Sequence, residues 1–377
     1  MNIDLATSIF AYILGFQTIL LIILILRQKR QSTAQMLLVL MLSFYVLSLL
    51  NLANAYLLQT TTYLEWIAFL QLELLFGFGP SLFLYTKSLT DQSYRFKIVE
   101  LFHFLPAALE FTYYRTSYFR DGALSLAESA NSISNYVYQW VQWGGLLSVF
   151  IYLSLSIYLL IKYRKWVKNT YSDLEKRALD WHEKPVMAYS IFWLIWITLR
   201  VFDILIYDDS LRPYYFNLGF IGVAIITLWI GFKGYMSTQI EVSGFLSAPQ
   251  KPFTPARSSV QLSLIAQTLE QLMAEEKFYL DSDLTLAKLS AQMAYSERDI
   301  SKALNNCLHL TFHQFVNQYR VEAFKENLLR EELAHLNLLG IALESGFGSK
   351  SSFNLVFKAN TGLTPKQYAK KVALKKS

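Results

Sequence analysis

The chain has 377 residues, of which 54% are hydrophobic and only 16% charged, and its net charge is +6. Soluble domains usually carry roughly 25% charged residues, so this composition excludes an ordinary soluble protein. The deficit of charge lies almost wholly before residue 240, which indicates that two domains of different character share one chain.

Seven apolar segments in the first part of the chain are each long enough to cross a bilayer, which takes roughly 20 mostly apolar residues. They lie at about 4–26, 35–58, 63–86, 98–119, 139–161, 186–206 and 214–236. We expect the first to be a span and not a cleavable signal peptide, because its start lacks basic residues and no small-residue cleavage site follows. The sequence therefore predicts a seven-helix transmembrane domain over residues 1–236.

Lysine and arginine are unequally divided between the two sides of this domain. With the N-terminus outside, the outer connections hold only Arg115, Arg120 and Arg212. The inner connections hold Arg27, Lys29, Arg30, Lys87, Arg95, Lys97, Lys162, Arg164, Lys165, Lys168, Lys176, Arg177 and Lys184. Because basic residues are retained on the cytoplasmic side, and the number of spans is odd, we expect the C-terminus to lie in the cytoplasm.

Several ionisable residues fall within the predicted spans, where charge is costly and normally faces the bundle interior. Glu73, His103 and Glu110 are candidates for a pocket that senses a ligand or a proton. The alternative is interhelical hydrogen bonding, with Arg200 and Asp203, three residues apart on one helix face, as a plain ion pair. The sequence leaves both interpretations open. It shows no catalytic constellation, so we expect no enzymatic activity.

Residues 237–259 break the apolar pattern. Pro249, Pro252, Pro255 and Gly244 indicate a connector and not a helix. A new domain is predicted over 260–377, and it opens with apolar residues at helical spacing. These residues are Leu262, Ile265, Leu269 and Leu272.

The first half of this domain has the pattern of a helix-turn-helix. A short helix from Leu286 ends at a small-residue turn, and Ser296 stands where a helix N-cap is needed. The following helix, Glu297 to Asn305, is predicted to bury Ile300 and Leu304. A polar, basic face on a second helix after a tight turn is typical of a recognition helix. That face carries Arg298, Ser301, Lys302 and Asn305.

The pattern recurs near the C-terminus. A helix over Leu338 to Ser345 is followed by a turn at 346–348, and Ser349 is predicted to cap a helix that runs to about Ala359. Phe353 and Phe357 would face inward. A longer helix, 312–330, connects the two units, and Thr364 and Pro365 open a final short helix. The single cysteine, Cys307, is expected to pack near a helix end, and the five histidines show no metal-ligand spacing, so no metal and no cofactor is expected.

A run of residues in the second unit closely resembles the signature of AraC/XylS-type transcription regulators. The matching residues are Gly346-Phe347-Gly348-Ser349-Lys350-Ser351-Ser352-Phe353-Asn354, then Phe357-Lys358, Thr361-Gly362 and Thr364-Pro365. The resemblance covers roughly 260–372, about a third of the chain. It implies two helix-turn-helix subdomains joined by a long helix, each placing a recognition helix in the major groove. The membrane half resembles only a looser, membrane-embedded subgroup of these regulators.

Carried over by position, the resemblance implies that Arg298, Ser301 and Lys302 face bases in the first unit. In the second unit it assigns bases to Ser351, Ser352 and Leu355, and phosphates to Lys350, Asn354 and Lys358. Two departures stand out. Leu355 replaces a residue that is commonly Arg, which favours contact with a thymine methyl or a positioning role. Phe324 and Asn327 replace the usual Ala and Leu of the connecting helix, which indicates altered packing.

The sequence thus predicts an all-α protein: a seven-transmembrane helical bundle followed by a cytoplasmic double helix-turn-helix, in a bacterial inner (plasma) membrane. Its function would be sequence-specific transcription regulation with one-component signal sensing. The partners implied are promoter double-stranded DNA, the lipid bilayer, an unidentified small-molecule signal, a second copy in a homodimer and RNA polymerase. The alternatives are a membrane receptor or transporter-like protein whose C-terminal domain recruits proteins, and a DNA-binding protein that is merely tethered.

Overall fold

A computed structural model describes residues 5–28, 32–60, 74–91, 93–113, 133–175, 177, 179–208, 210–237, 245–246, 258–333 and 335–376. Over these ranges the chain is helical, and its only β-type pairing is one isolated bridge between Tyr171 and Thr285. The chain divides into two compact units. After the roles that the sequence predicts for them, we call Met1–Ile161 with Leu179–Ser247 the membrane unit and Lys162–Ala178 with Ala248–Ser377 the DNA-binding unit. We use these two names below.

The membrane unit is built from long helices. They are α1 (Leu5–Leu26), α2 (Thr33–Thr60), α3 (Leu75–Thr90), α4 (105–113, preceded by a 3-10 helix at Ile98–Phe104), α5 (Ile133–Thr170), α6 (Asp180–Tyr207) and α7 (Arg212–Met236). Helix α5 is continuous across the boundary at which the chain passes from the membrane unit into the DNA-binding unit.

Four stretches of the described chain are long and apolar enough to cross a membrane: Leu5–Leu26, Thr33–Leu50, Trp143–Thr170 and Asp180–Tyr207. Helix α7 adds a shorter apolar stretch, Ile221–Met236. The predicted count of seven spans is not confirmed. The third predicted span falls partly on 61–73 and the fourth partly on 114–119, which lie outside the described residues.

Helix α1 exposes many of its large apolar side chains, Phe16 among them. Its buried face combines small or weakly polar residues, such as Ser8 and Gly15, with apolar ones, such as Leu14 and Ile25. Small residues on the buried face let neighbouring helix backbones approach closely.

Seven shorter helices lie between Ser259 and Lys376, in the described part of the DNA-binding unit. They are α8 (Ser259–Glu275), α9 (Leu286–Met293), α10 (Glu297–Ala303), α11 (Phe312–Asn327), α12 (Leu338–Glu344), α13 (Lys350–Thr361) and α14 (Pro365–Lys376). The predicted helices are all present, and the largest differences in extent concern two of them. The connecting helix α11 ends at Asn327, and α10 ends at Ala303, after which one π-helical turn covers Leu304–Leu308.

Two apolar cores hold this unit together, and α11 contributes to both. The first core buries Leu269, Ile300 and Leu304, as predicted. Leu272 is only partly buried, because the helix phase places Met273 in the core instead. Cys307 is partly buried and packs against this core.

The second core is an aromatic cluster, and it explains the unusual residues of the connecting helix. Phe324 is fully buried, with ring centroids 4.7 Å from Phe353 and 5.1 Å from Phe357. The predicted inward orientation of Phe353 and Phe357 is confirmed. One helix turn further along, the Asn327 side chain donates to the Ser345 hydroxyl at 3.1 Å. The large residue at 324 therefore fills the core, and the polar one at 327 fixes the end of α12.

Candidate nucleic-acid interface

The first helix-turn-helix consists of α9, a tight turn and α10. Thr285 caps α9 by accepting a hydrogen bond from the Lys288 amide at 3.2 Å. Helix α9 ends at Ala294, whose φ of 56° is left-handed. Ser296 then accepts from the Asp299 amide at 3.1 Å, which confirms its predicted role as the N-cap of α10. These local contacts set the angle at which the recognition helix leaves the turn.

The second helix-turn-helix repeats this construction with α12 and α13. Asn337 caps α12 by accepting from the Gly340 amide at 2.9 Å. The turn passes through Gly346, at a φ of +90°, and buries Phe347. Ser349 accepts from the Ser352 amide at 3.1 Å, so its predicted role as the N-cap of α13 is also confirmed. Both recognition helices thus begin at a serine cap after a turn.

The buried guanidinium of Arg320 fixes α11 against the segment that precedes α9. Its Nε donates to the Tyr279 carbonyl at 2.8 Å, and one Nη donates to the Asp281 carbonyl at 2.8 Å. The other Nη donates to the Asn317 side chain at 3.2 Å. Burial lowers the pKa of Arg320 to about 10, so it remains charged at neutral pH. The sequence analysis assigned no role to Arg320, although a basic residue on a largely apolar helix face can indicate a buried hydrogen-bonding role.

Most residues that were predicted to contact DNA are exposed on α10 and α13 or just beyond them. The exposed ones are Arg298, Asn305, Lys350, Ser351, Asn354, Leu355 and Lys358. The partly buried ones are Ser301, Lys302 and Ser352. The side chain of Leu355 is 72% exposed, which is unusual for leucine on a helix that otherwise packs well. The Asn305 amide donates to the Ser301 carbonyl at 2.7 Å, so part of its hydrogen-bonding capacity is used within the helix.

The residues predicted to sense a signal have separate partners. The Glu110 carboxylate is buried and accepts from the backbone amides of Leu75 and Phe76, both at 3.2 Å. It therefore lies at the N-terminus of α3, where a negative charge is favoured. His103 Nδ1 is hydrogen-bonded to the Tyr152 hydroxyl at 2.8 Å. Glu73 lies outside the described residues.

Arg200 and Asp203 are both buried in α6. The Asp203 carboxylate accepts from the Leu211 amide at 2.9 Å, near the end of that helix. In the part of the chain that the structure covers, His, Cys, Asp and Glu residues form no group that could hold a metal ion.

Comparison with known proteins places the C-terminal helices in a known family. A family model described as a helix-turn-helix domain matches residues 289–371. Two similar proteins are both uncharacterised HTH-type transcriptional regulators of Staphylococcus aureus. The one from strain COL is 37% identical over 92 residues, and the one from strain MSSA476 is 36% identical over 92 residues. The C-terminal part of this chain therefore carries an AraC-type helix-turn-helix domain, as its sequence indicated.

The matched segment is 24% of this chain and only 12% of each of these relatives. The family model, at residues 289–371, lies within the DNA-binding unit. No solved structure matches the chain.

Proposed function

We propose that this protein is a membrane-embedded, sequence-specific DNA-binding regulator of transcription that acts as a one-component signalling device. The observation that carries the proposal is the pair of serine-capped recognition helices, α10 and α13, joined by α11. Each presents a polar face on which most predicted contact residues are exposed. A helix of this kind fits the major groove of B-DNA, where base edges can be distinguished.

The two faces would divide the work of recognition. Arg298, Ser301 and Lys302 on α10 can donate hydrogen bonds to base edges, with Arg–guanine pairs the commonest specific contact. On α13, Lys350, Asn354 and Lys358 would hold phosphates. Such contacts fix the register of the protein on the duplex without reading sequence. The exposed Leu355 is left for apolar contact with a thymine methyl.

Selection from a pool of random duplexes by the full chain in nanodiscs tests DNA recognition directly. A regulator should enrich one sequence motif, and Arg298→Ala should weaken or broaden that enrichment. A receptor or transporter-like protein whose C-terminal domain recruits other proteins should enrich none, with or without Arg298. Enrichment that Arg298→Ala leaves unchanged would place the recognition face elsewhere.

We further propose an inner-membrane location with seven spans and the N-terminus outside. Four apolar helices of sufficient length and the 13-to-3 bias of basic residues support this topology. Ser172, on a predicted inner loop, contacts Leu284 and Asn317 of the C-terminal helices, which supports placing that loop and those helices on the same side. A reporter fused after Met236 should be cytoplasmic and one inserted near Ser129 external. Finding both on the same side would contradict the model.

The proposal assigns the sensing of a signal to Glu73, His103 and Glu110, which carry ionisable groups within the predicted spans. A signal can act only if it favours one arrangement of the bundle over another. Glu110→Gln would remove the charge at the start of α3 but keep an acceptor for its amides. We expect Glu73→Gln and Glu110→Gln to preserve membrane insertion and to fix promoter output in one state. A protein that is merely tethered would keep its promoter control even after its spans are deleted.

A further inference from the structure

A short segment between α5 and α6 packs on the DNA-binding unit although it lies far from that unit in sequence. Residues Lys162–Ala178 group with Ala248–Ser377. Within this stretch, residues 171–175 make the contacts considered below, and we call them the acidic clip because Asp173 and Glu175 are its charged members. The helix-turn-helix pattern does not account for the clip.

Ser172 anchors the clip by a dense set of hydrogen bonds. Its amide and its hydroxyl both donate to the Leu284 carbonyl, at 3.2 and 2.8 Å. Its carbonyl accepts from Asn317 Nδ2 at 3.0 Å and from His313 Nδ1 at 2.7 Å. Its hydroxyl also accepts from Arg320 at 3.1 Å. Ser172 is fully buried, and each of its polar groups has a partner, so this is a specific interface.

The clip also holds its own shape. The Arg177 guanidinium lies 4.3 Å from the centre of the Tyr171 ring and donates to the Asp173 carbonyl at 3.1 Å. The Glu175 amide donates to the Asp173 side chain at 3.1 Å. A turn that is internally bonded in this way loses less conformational entropy when it docks.

The two carboxylates of the clip lie at the start of the second recognition helix. Glu175 accepts hydrogen bonds from the hydroxyls of Ser349 and Ser351. Asp173 is close to the preceding turn, because a Cβ built on Gly348 would lie 3.0 Å from its Oδ2. Ser349 is the N-cap of α13, and Ser351 is a predicted base-facing residue. Negative charge therefore lies at the N-terminus of α13, where this recognition helix would have to approach DNA.

We propose that the acidic clip is an intramolecular competitor of DNA, in which the Glu175 carboxylate takes the position of a backbone phosphate at the N-terminus of α13. The proposal rests on the proposed function, since it assumes that α13 binds DNA. The interaction surface is formed by Ser349 and Ser351 on α13 and by the α11 residues that hold Ser172. Its partner is this chain's own 171–175 segment.

Two physical effects make the competition direct. A carboxylate hydrogen-bonded by two hydroxyls at a helix N-terminus uses the same donors and the same partial positive charge that a phosphate would use. A fixed negative charge there also repels the DNA backbone. Glu175 is exposed, so the contact is readily reversible. If the clip is closed most of the time, the apparent affinity for DNA equals the affinity of the open form multiplied by the fraction of molecules that are open.

The clip is also well placed to be moved. Helix α5 runs without a break to Thr170, one residue before the clip begins. A rotation or shift of that helix therefore acts on Tyr171 through one peptide bond and on Ser172 through two. A signal received in the membrane unit would reach the recognition helix by this route without passing through the 237–259 connector.

The experiment compares three forms of the full chain in nanodiscs: wild type, Glu175→Gln, and Asp180→Asn as a matched control. Asp180 follows the same connection, in the first turn of α6, and its substitution changes the net charge by the same amount. Affinity is measured for the duplex enriched by selection, of about 40 base pairs so that two successive major grooves are available. We expect Glu175→Gln to bind about 3- to 30-fold more tightly than wild type, and Asp180→Asn to match wild type.

Each other outcome is decisive. If Glu175→Gln binds as wild type does or more weakly, the clip does not compete with DNA, although the protein still binds it. If Glu175→Gln lowers the unfolding temperature without changing DNA affinity, the contact only caps a helix and the proposal is overturned. If both variants gain affinity equally, the loss of one negative charge explains the gain wherever it lies, and the proposal that the clip competes with DNA is overturned. If none of the three forms enriches or binds a duplex specifically, the proposed function itself has failed.

Discussion

Gly346 and Tyr279 approach so closely that a single added carbon would not fit between them. A Cβ built on Gly346 would lie 2.2 Å from the Tyr279 carbonyl oxygen, the same oxygen that accepts a hydrogen bond from Arg320 Nε at 2.8 Å. The turn of the second helix-turn-helix is thus pressed against a residue of the first subdomain. This contact fixes the spacing of the two recognition helices within the DNA-binding unit.

Replacing Gly346 by Ala should strongly destabilise the DNA-binding unit. Its φ of +90° is unfavourable for any residue with a Cβ, and the overlap with backbone cannot be relieved by a side-chain rotation. We expect a loss of about 3 kcal/mol or more in the free energy of unfolding. Gly362→Ala is the matched control, because its φ is +74° but nothing lies within 4 Å of the added carbon. Equal unfolding midpoints for the two variants in denaturant would contradict the close approach.

Replacing Arg320 by Met should destabilise the unit even though Met fills a similar volume. The change removes the charged donor that bonds the carbonyls of Tyr279 and Asp281 and the hydroxyl of Ser172. We expect a loss of about 3–5 kcal/mol in the free energy of unfolding. Arg298→Ala removes an exposed arginine from the same unit and should change stability by less than about 0.5 kcal/mol. An Arg320→Met protein as stable as wild type would show that this network is dispensable.

The DNA contacts should separate by their dependence on sequence and salt. Arg298→Ala and Lys302→Ala should weaken specific binding by about 1–3 kcal/mol if these residues contact base edges. Lys358→Ala should weaken binding to all duplexes about equally and reduce the slope of affinity against salt concentration. Titrations with the enriched and with a scrambled duplex, at several salt concentrations, distinguish the two classes. A uniform loss from Arg298→Ala would reassign it to phosphate binding.

The exposed Leu355 should make the two halves of the DNA site unequal. A leucine cannot form the hydrogen bonds that specify a base, so the half-site under α10 should be more sharply defined than that under α13. Selection from random duplexes measures this directly. Leu355→Arg should sharpen the weaker half-site. Two equally sharp half-sites in the wild type would refute the idea, and Leu355→Arg would then disturb an existing contact.

Stability of the DNA-binding unit should fall at mildly acidic pH because of His313. Burial, opposed by its bond to the Ser172 carbonyl, lowers the pKa of His313 below its usual value. The charges of Arg320 and Lys168 lower it further, and that of Asp173 raises it. As the pH falls, the unfolded chain therefore takes up a proton at His313 before the folded protein does. The contribution of the neutral His313 to stability is fully present above about pH 6.5 and is lost as the pH falls towards the folded-state pKa.

Unfolding midpoints measured at pH 7.5 and pH 5.5 check that stability is lower at the lower pH. His313→Gln should reduce the difference between the two midpoints, since glutamine can donate to the same carbonyl but does not titrate. His335→Gln, which removes an exposed histidine of the same unit, should leave the difference as in wild type. A larger difference for His313→Gln than for wild type would show that the folded state favours the protonated imidazole.

Local chemistry explains why much of the DNA-binding unit was predictable. The caps Ser296 and Ser349 accept hydrogen bonds from amides three residues away. The four-residue spacing that buries Phe353 and Phe357 is likewise a property of one helix. The helix phase at Leu272 was less certain, because one extra apolar residue, Met273, could replace it. The seven-span prediction rests on length and hydropathy, and four spans of the described chain meet those criteria.

The acidic clip was not predictable, because its partners are distant in sequence. Ser172 and Arg320 are 148 residues apart, and Glu175 and Ser351 are 176 apart. The sequence around the clip is dominated by basic residues, on which the topology prediction drew, and the two carboxylates among them carried no signal of their own. Similarly, Glu110 has the sequence signature of a costly buried charge, and only the fold shows that it binds the start of α3.

The anchoring of Ser172 has a consequence for how the DNA-binding unit could be set free by proteolysis. The unit is made of two separate stretches of chain, so three peptide connections join it to the membrane unit. A protease that cuts within 247–257 severs one of them, and the hydrogen bonds to Ser172 still hold the cleaved domain to the loop between α5 and α6. Cleavage at that site alone would leave the cleaved domain bound to the rest of the protein. A diffusible fragment would form only after the hydrogen bonds to Ser172 had broken.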